Sequence, residues 1–167
     1  MDVMKAIKER RSIRKYRPTP VEAEKLEKIA EAFRLAPSAR NGQSWKLLIV
    51  RDQAVKDKMR EASPAKAEMI SQAPVVLAGV CSTQNVMSNS HRVDSIDVSI
   101  ALSFAMLEAQ ELGLGTCWIC NYTEPEMKAA LGLPDDMSVV SIMSLGYADE
   151  APEARPRKPM EEIVRYI

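Results

Sequence analysis

The segment GLGTCWIC, residues 113–120, places Cys117 and Cys120, two of the chain's three cysteines, at CxxC spacing. Three chemistries suit that pattern: a redox dithiol, half of a metal site, or a buried strand whose backbone meets a ligand. If residues 116–120 form a strand, the two thiols point to opposite faces with Cα atoms about 10 Å apart. A disulfide needs Cα atoms within about 7 Å. A thioredoxin-type CxxC opens a helix, which lowers the thiol pKa, whereas here the next helix signal, TEPEM, follows Cys120. Zinc asks for four ligands, and Cys81 and the single His91 lie far off in sequence. GLGTC also lacks the sixth-position glycine of a dinucleotide fingerprint and follows a helical pattern. Geometry therefore favours the buried strand, for which no metal is expected.

The cations fall into two knots. ERRSIRKYR, residues 9–17, gathers Arg10, Arg11, Arg14, Lys15 and Arg17 around Ser12, and RPRK, residues 155–158, adds Arg155 and Arg157. Cations after a helix complement its dipole and face water. Guanidinium forks and a hydroxyl converging where a chain leaves a helix also suit a phosphate. Between them, APSARNGQSW, residues 36–45, is a polar loop. Plain turn chemistry explains it, and its amides and hydroxyls also suit the edge of a planar heterocycle.

The elements that must position these groups follow from periodicity. Val3, Met4 and Ile7 predict a helix over residues 2–10. Thr19 as cap, Pro20 in the first turn and a stripe of Leu26, Ile29, Ala30 and Phe33 predict a second helix that stops at Pro37. Strands are expected at 45–50, 74–80, 116–120 and 138–147, with short charged helices at about 52–61 and 64–72 and another in EPEMKAALGLP. The helix from Ile96 to Leu112 is apolar nearly all round, the mark of a helix covered on every side. Helices followed by strands alternating with helices predict a layered α/β sandwich. The tail ADEAPEARPRKPMEEIVRYI is broken by Pro152, Pro156 and Pro159, yet it regains apolar residues at its end, as a docking arm would.

At 167 residues the chain suits one domain. Its 23 Lys+Arg balance 23 Asp+Glu, so no nucleic acid or anionic membrane is expected as main partner. No run approaches the roughly 20 apolar residues of a bilayer span. The charged MDVMKAIKERR does not read as a signal peptide, and an odd cysteine count argues against a disulfide framework. A cytoplasmic protein is expected.

In this order, RRSIRKY, PSARNGQSWKLLIV, ALSFAMLEAQELGLGTCWI and SLGYADEAPEARPRKPMEEIV resemble the nitroreductase family of FMN-dependent oxidoreductases, over nearly the whole chain. The resemblance implies an α+β fold, a three-layer sandwich with a central, mostly antiparallel mixed sheet, in an intertwined homodimer. Residues 1–167 would form a single FMN-binding domain, with 148–167 an arm exchanged with the partner subunit. By the same resemblance Arg10, Arg11, Ser12 and Arg14 form the first FMN wall, with Arg10 and Ser12 on the phosphate and Arg14 near the flavin N1 and C2 carbonyl. Arg155 and Arg157 clamp the phosphate from the arm. Pro37, Ser38, Ala39 and Asn41, with Gln43, come from the other subunit. Trp118, Ile119 and Cys120 form the strand end whose backbone passes the isoalloxazine near N5. Family members often carry glycine or an acid at the Cys120 position, so the thiol is a departure. The chain is also shorter than many members and lacks much of the segment that covers the substrate pocket.

The activity so implied is ping-pong transfer of a hydride from NAD(P)H through the flavin to a small planar, electron-poor acceptor, a nitroaromatic or quinone. No protein acid, base or nucleophile is required for it. A flavin-binding protein of the same fold without NAD(P)H reductase activity, and a thiol oxidoreductase using Cys117 and Cys120, are the alternatives.

Overall fold

A computed structural model describes residues 2–63, 67–82 and 86–167. Helix α1 (Val3–Glu9) starts at Asp2, whose carboxylate accepts from the N–H of Met4. Helix α2 (Ala23–Arg34) buries Leu26, Ile29 and Phe33, as their spacing predicts. Its start differs from expectation. Glu22, rather than Thr19, stands at the N-cap, and Pro20 precedes the helix. The cause is tertiary: Tyr16 pairs with Ala148, and Arg17 donates its N–H to the Tyr147 carbonyl at 2.9 Å. That pairing keeps the chain extended up to the buried Val21.

Strands β1 (Trp45–Val50), β2 (Val75–Cys81), β3 (Gly115–Ile119) and β4 (Ser138–Gly146) form a four-stranded sheet in the order β1-β2-β4-β3, every pair antiparallel. A parallel bridge joins Ser12 to Thr116 beside β3. Trp45 faces Cys81, Val75 faces Leu145 and Gly115 faces Gly146. Between the strands lie α3 (Gln53–Glu61), α4 (Glu68–Gln72), α5 (Val93–Glu111) and α6 (Glu124–Leu131), with α7 (Met160–Ile163) in the tail. The expected helix over 64–72 is thus confined to its second half among the described residues, since 64–66 lie outside them.

Alternation along β2 sorts the core into two layers. Val75, Leu77 and Cys81 pack with α2 and α5, while Val76, Ala78 and Val80 pack with Met59 of α3, Ile70 of α4 and Met127 of α6. The result is a helix–sheet–helix sandwich. Gly79 lets α5 settle onto the sheet, because a Cβ there would lie 2.5 Å from Val98 Cγ1 and 2.8 Å from Leu102 Cδ1. Helix α5 ends where Gly113 takes a φ of 76°, a left-handed position suited to glycine. Its inner face is fully covered, but Ile96 and Phe104 remain exposed on the outer one.

The tail divides in two. Asp149 donates its N–H to the Lys15 carbonyl at 2.9 Å, so residues 148–150 belong to the chain's own body. From Ala151 the chain runs out along the basic turn, α7 leaves Met160 and Ile163 exposed, and Tyr166 beyond it is exposed too.

Candidate functional site

Helix α1 ends at Arg10, its C-cap, and the next residues run alongside β3. The guanidinium of Arg11 turns back onto the carbonyls of Lys8 and Arg10, at 2.7 and 2.9 Å, so it satisfies helix-end acceptors. Arg14 donates its backbone N–H to Glu150 Oε1 at 2.5 Å and its guanidinium to the Ser12 carbonyl at 3.3 Å. These bonds fix the turn.

Opposite the turn lies the arm. Arg10, Arg11, Ser12 and Arg14 share one cleft of about 520 Å³ with Arg155 and Arg157. The two basic knots, some 145 positions apart by number, thus converge. The guanidiniums of Arg10, Arg155 and Arg157 make no hydrogen bond or ion pair among the described residues. Lys8 lines the same cleft, and among the described residues Glu153 is its one carboxylate. An open recess with this charge surplus attracts a multiply charged anion.

The strand end reaches the turn through the backbone. Ile13 donates its N–H to the Thr116 carbonyl at 2.8 Å. Within β3, Cys117 is buried and burial pushes its thiol pKa up. Cys120 lies just past the strand, exposed, where it accepts from the Trp118 indole N–H at 2.9 Å and stands 3.6 Å from Ser141 Oγ. Ser141 in turn donates to the Ile119 carbonyl at 3.2 Å. All three cysteines are free, and the CxxC pair is split between core and surface. That division suits a strand and disfavours a dithiol.

The loop is set apart. Pro37, Ser38 and Ala39 line a different recess, of about 170 Å³, against Ile96, Asp97 and Ile100 of α5. Arg40, Asn41 and Gln43 hold φ of 54°, 55° and 47°, left-handed values that cost non-glycine residues energy. Ser38 gathers the loop by accepting from the Gln43 N–H at 3.1 Å on its Oγ and from the Asn41 N–H at 2.9 Å on its carbonyl. Within one chain, then, the loop and the basic cleft share no lining residue.

The profile of the Nitroreductase family matches residues 7–67 and 61–147, spanning the basic turn, the loop and the strand end. The chain belongs to the nitroreductase family. A protein of Archaeoglobus fulgidus is 37% identical over 150 residues, 87% of this chain and 85% of its own. The Bacillus subtilis protein named FMN reductase [NAD(P)H] is 32% identical over 181 residues, 97% of this chain and 72% of its own. Among solved structures, an FMN-dependent nitroreductase from Clostridium difficile superposes with a TM-score of 0.83 at 30% identity, over 98% of each chain. The nitroreductase fold expected from sequence is therefore the observed one.

Sequence reasoning missed three side chains around these features. Lys8 stands in the last turn of α1, where a basic residue reads as complementing the helix dipole. Glu150 and Asp97 gave no local signal, because each works on a partner 136 or 58 positions away.

Proposed function

We propose that this nitroreductase is an FMN-dependent oxidoreductase that uses NAD(P)H to reduce a small planar, electron-poor acceptor of the nitroaromatic or quinone type. The observation that carries the reading is the convergence in one cleft of the guanidiniums of Arg10, Arg155 and Arg157, none of them ion-paired among the described residues. The names of the FMN reductase of Bacillus subtilis and the FMN-dependent nitroreductase of Clostridium difficile support it.

The residues fit the cofactor by charge. A phosphate monoester carries close to two negative charges near neutral pH, and the guanidiniums of Arg10, Arg155 and Arg157 with the Ser12 hydroxyl supply the matching donors. Arg11 and Arg14 hold the turn through backbone bonds, and Arg14 adds a further cation to the cleft lining. FMN bound there supplies two-electron hydride chemistry between nicotinamide and acceptor. The chain's own contribution is position and field. A fixed cation at Arg14 favours negative charge that develops beside it, and by the family resemblance the backbone at Trp118, Ile119 and Cys120 would pass the ring.

The site takes its last wall from a second copy of the chain. Support comes from the exposed Ile96 and Phe104 on the outer face of α5, and from an arm whose Met160 is 68% and Ile163 64% exposed. In a homodimer the loop Pro37–Gln43 reaches the partner's cleft, and the arm, after lining its own chain's cleft through Arg157, crosses to the partner with its apolar end. Such an arm with its apolar end is an interaction element rather than a free tail.

The purified protein tests the proposal. A yellow protein whose flavin absorption is bleached by NADH or NADPH without oxygen, and restored by a quinone, is the expected result. A colourless protein that ignores added FMN overturns it, while bound FMN with no bleaching by either nucleotide selects the flavin-binding alternative.

A further inference from the structure

We infer that Asp97 is the positioning residue of this site: its buried carboxylate fixes the loop Pro37–Gln43 in the shape that meets the flavin. The inference rests on the FMN reading above and names a residue that acts through others. Asp97 is 5% exposed on a helix whose other inward residues are mostly apolar. Among the described residues both of its oxygens accept from one donor, the backbone N–H of Ala39, at 3.2 and 3.1 Å.

Two costs meet at this point. A carboxylate offers about four acceptor sites, so a buried one served by a single N–H is under-supplied and disfavours folding. The loop it holds adds three non-glycine residues at positive φ, each of them unfavourable. Neither cost helps the core, since the loop packs only a small recess against Ile96 and Ile100. An apolar residue at 97 and a relaxed turn would serve the fold better. Both costs fall on the segment that contacts the cofactor in the proposed dimer, which is where strain is kept for function.

Asp94 shows the contrast. It is buried on the same helix, three positions earlier, but it is supplied by Arg92 at 2.5 Å and the Cys81 thiol at 3.2 Å. Those bonds join α5 to β2 and leave the loop untouched. Asp94 stabilises the body, whereas Asp97 reaches outward to the loop.

The mechanism is a tether. The Ala39 N–H is held by Asp97, and the Ser38 carbonyl and hydroxyl then dictate where Asn41 and Gln43 point. Only an acceptor is needed at 97, so asparagine keeps the tether through its amide oxygen and alanine loses it. The donor can be deleted from the other side. Ala39→Pro removes the N–H, and the extended φ of −139° and ψ of 157° at Ser38 suit a residue before proline.

The test uses full-length, FMN-loaded protein and measures the FMN release rate and the visible circular dichroism of the flavin. Far-UV dichroism and dimer mass are recorded beside them as controls of fold. Asp97→Ala and Ala39→Pro should each release FMN at least tenfold faster and lose flavin dichroism, while Asp97→Asn stays within threefold of the parent. Ala39→Pro decides the matter if Asp97→Ala does not fold. Release within twofold of the parent in Ala39→Pro, or Asp97→Asn as impaired as Asp97→Ala, overturns the tether. A parent protein that binds no FMN overturns the functional reading instead, before any variant is compared.

Discussion

Ile13 donates its backbone N–H to the carbonyl of Thr116 at 2.8 Å, and this bond lays the basic turn against the edge of β3. Ser12 and the Arg cluster therefore inherit their position from the sheet. The fit depends on Gly115, where a Cβ would lie 2.6 Å from Ile13 Cγ1 and 2.9 Å from Ile13 Cβ.

Gly115→Ala should push Ile13 and the turn away from the strand. Overpacking of this kind costs about 1–3 kcal/mol, and FMN retention should fall with it. Chemical denaturation and flavin titration of the variant check the two effects. Full stability with normal FMN affinity would show that the turn does not depend on this contact.

Thiol reactivity should divide the CxxC pair. Cys120 is exposed and Cys117 is buried with a raised pKa. The thiolate is the nucleophile, so iodoacetamide near pH 7.5 should label Cys120 first and leave Cys117 unmodified in the folded protein. Cys117→Ser should alter stability more than NAD(P)H oxidation. Loss of that oxidation with FMN still bound would revive the dithiol alternative.

The sequence carried most of the scaffold because local patterns decide it. The stripe Leu26–Ile29–Phe33, the run at 45–50 and the glycine after α5 each have one structural solution. The start of α2 escaped because pairing of Tyr16 and Arg17 with the segment at 147–148 overrides the local cap signal of Thr19. The site was legible to the extent that charge clusters advertise themselves. Two basic knots could be seen, but their meeting in one cleft is a tertiary fact. Asp97 gives no signal in the sequence, since nothing local to it names Ala39 as its partner.

Stability should decline on the alkaline side. Burial, followed by its hydrogen bond to Asp94, pushes the Cys81 thiol up to about 12, against about 8.5 in an unfolded chain. The folded state thus holds the proton longer. The stabilisation is complete below about pH 8.5 and is lost as pH rises from there, by up to about 1.4 kcal/mol per pH unit. Tyr16 and Tyr122, also raised by burial, extend the loss above about pH 10. Thermal melts from pH 7.5 to 10 should show a shallower decline for Cys81→Ala than for the parent. Equal slopes would place the buried proton elsewhere.

Light scattering at low micromolar concentration should find a dimer. Burying a few side chains such as Phe104 and Ile163 across an interface, at roughly 1.5–3 kcal/mol each, offsets the cost of association. Deleting residues from Ala151 onward should weaken the dimer and release FMN together, because Arg155 and Arg157 leave with the arm. A full-length monomer that retains FMN would refute the shared site.

The most direct measurement is the FMN dissociation constant of Arg10→Ala, Arg157→Ala and the double variant, taken at two salt concentrations. These residues stand at opposite ends of the chain and meet in one cleft. A charge-assisted contact is worth roughly 1.5–3 kcal/mol, so each single change should weaken FMN by about tenfold or more and flatten the salt dependence. The double variant should lose less than the product of the two. Unchanged affinity in both single variants would contradict the phosphate site and, with it, the proposed function.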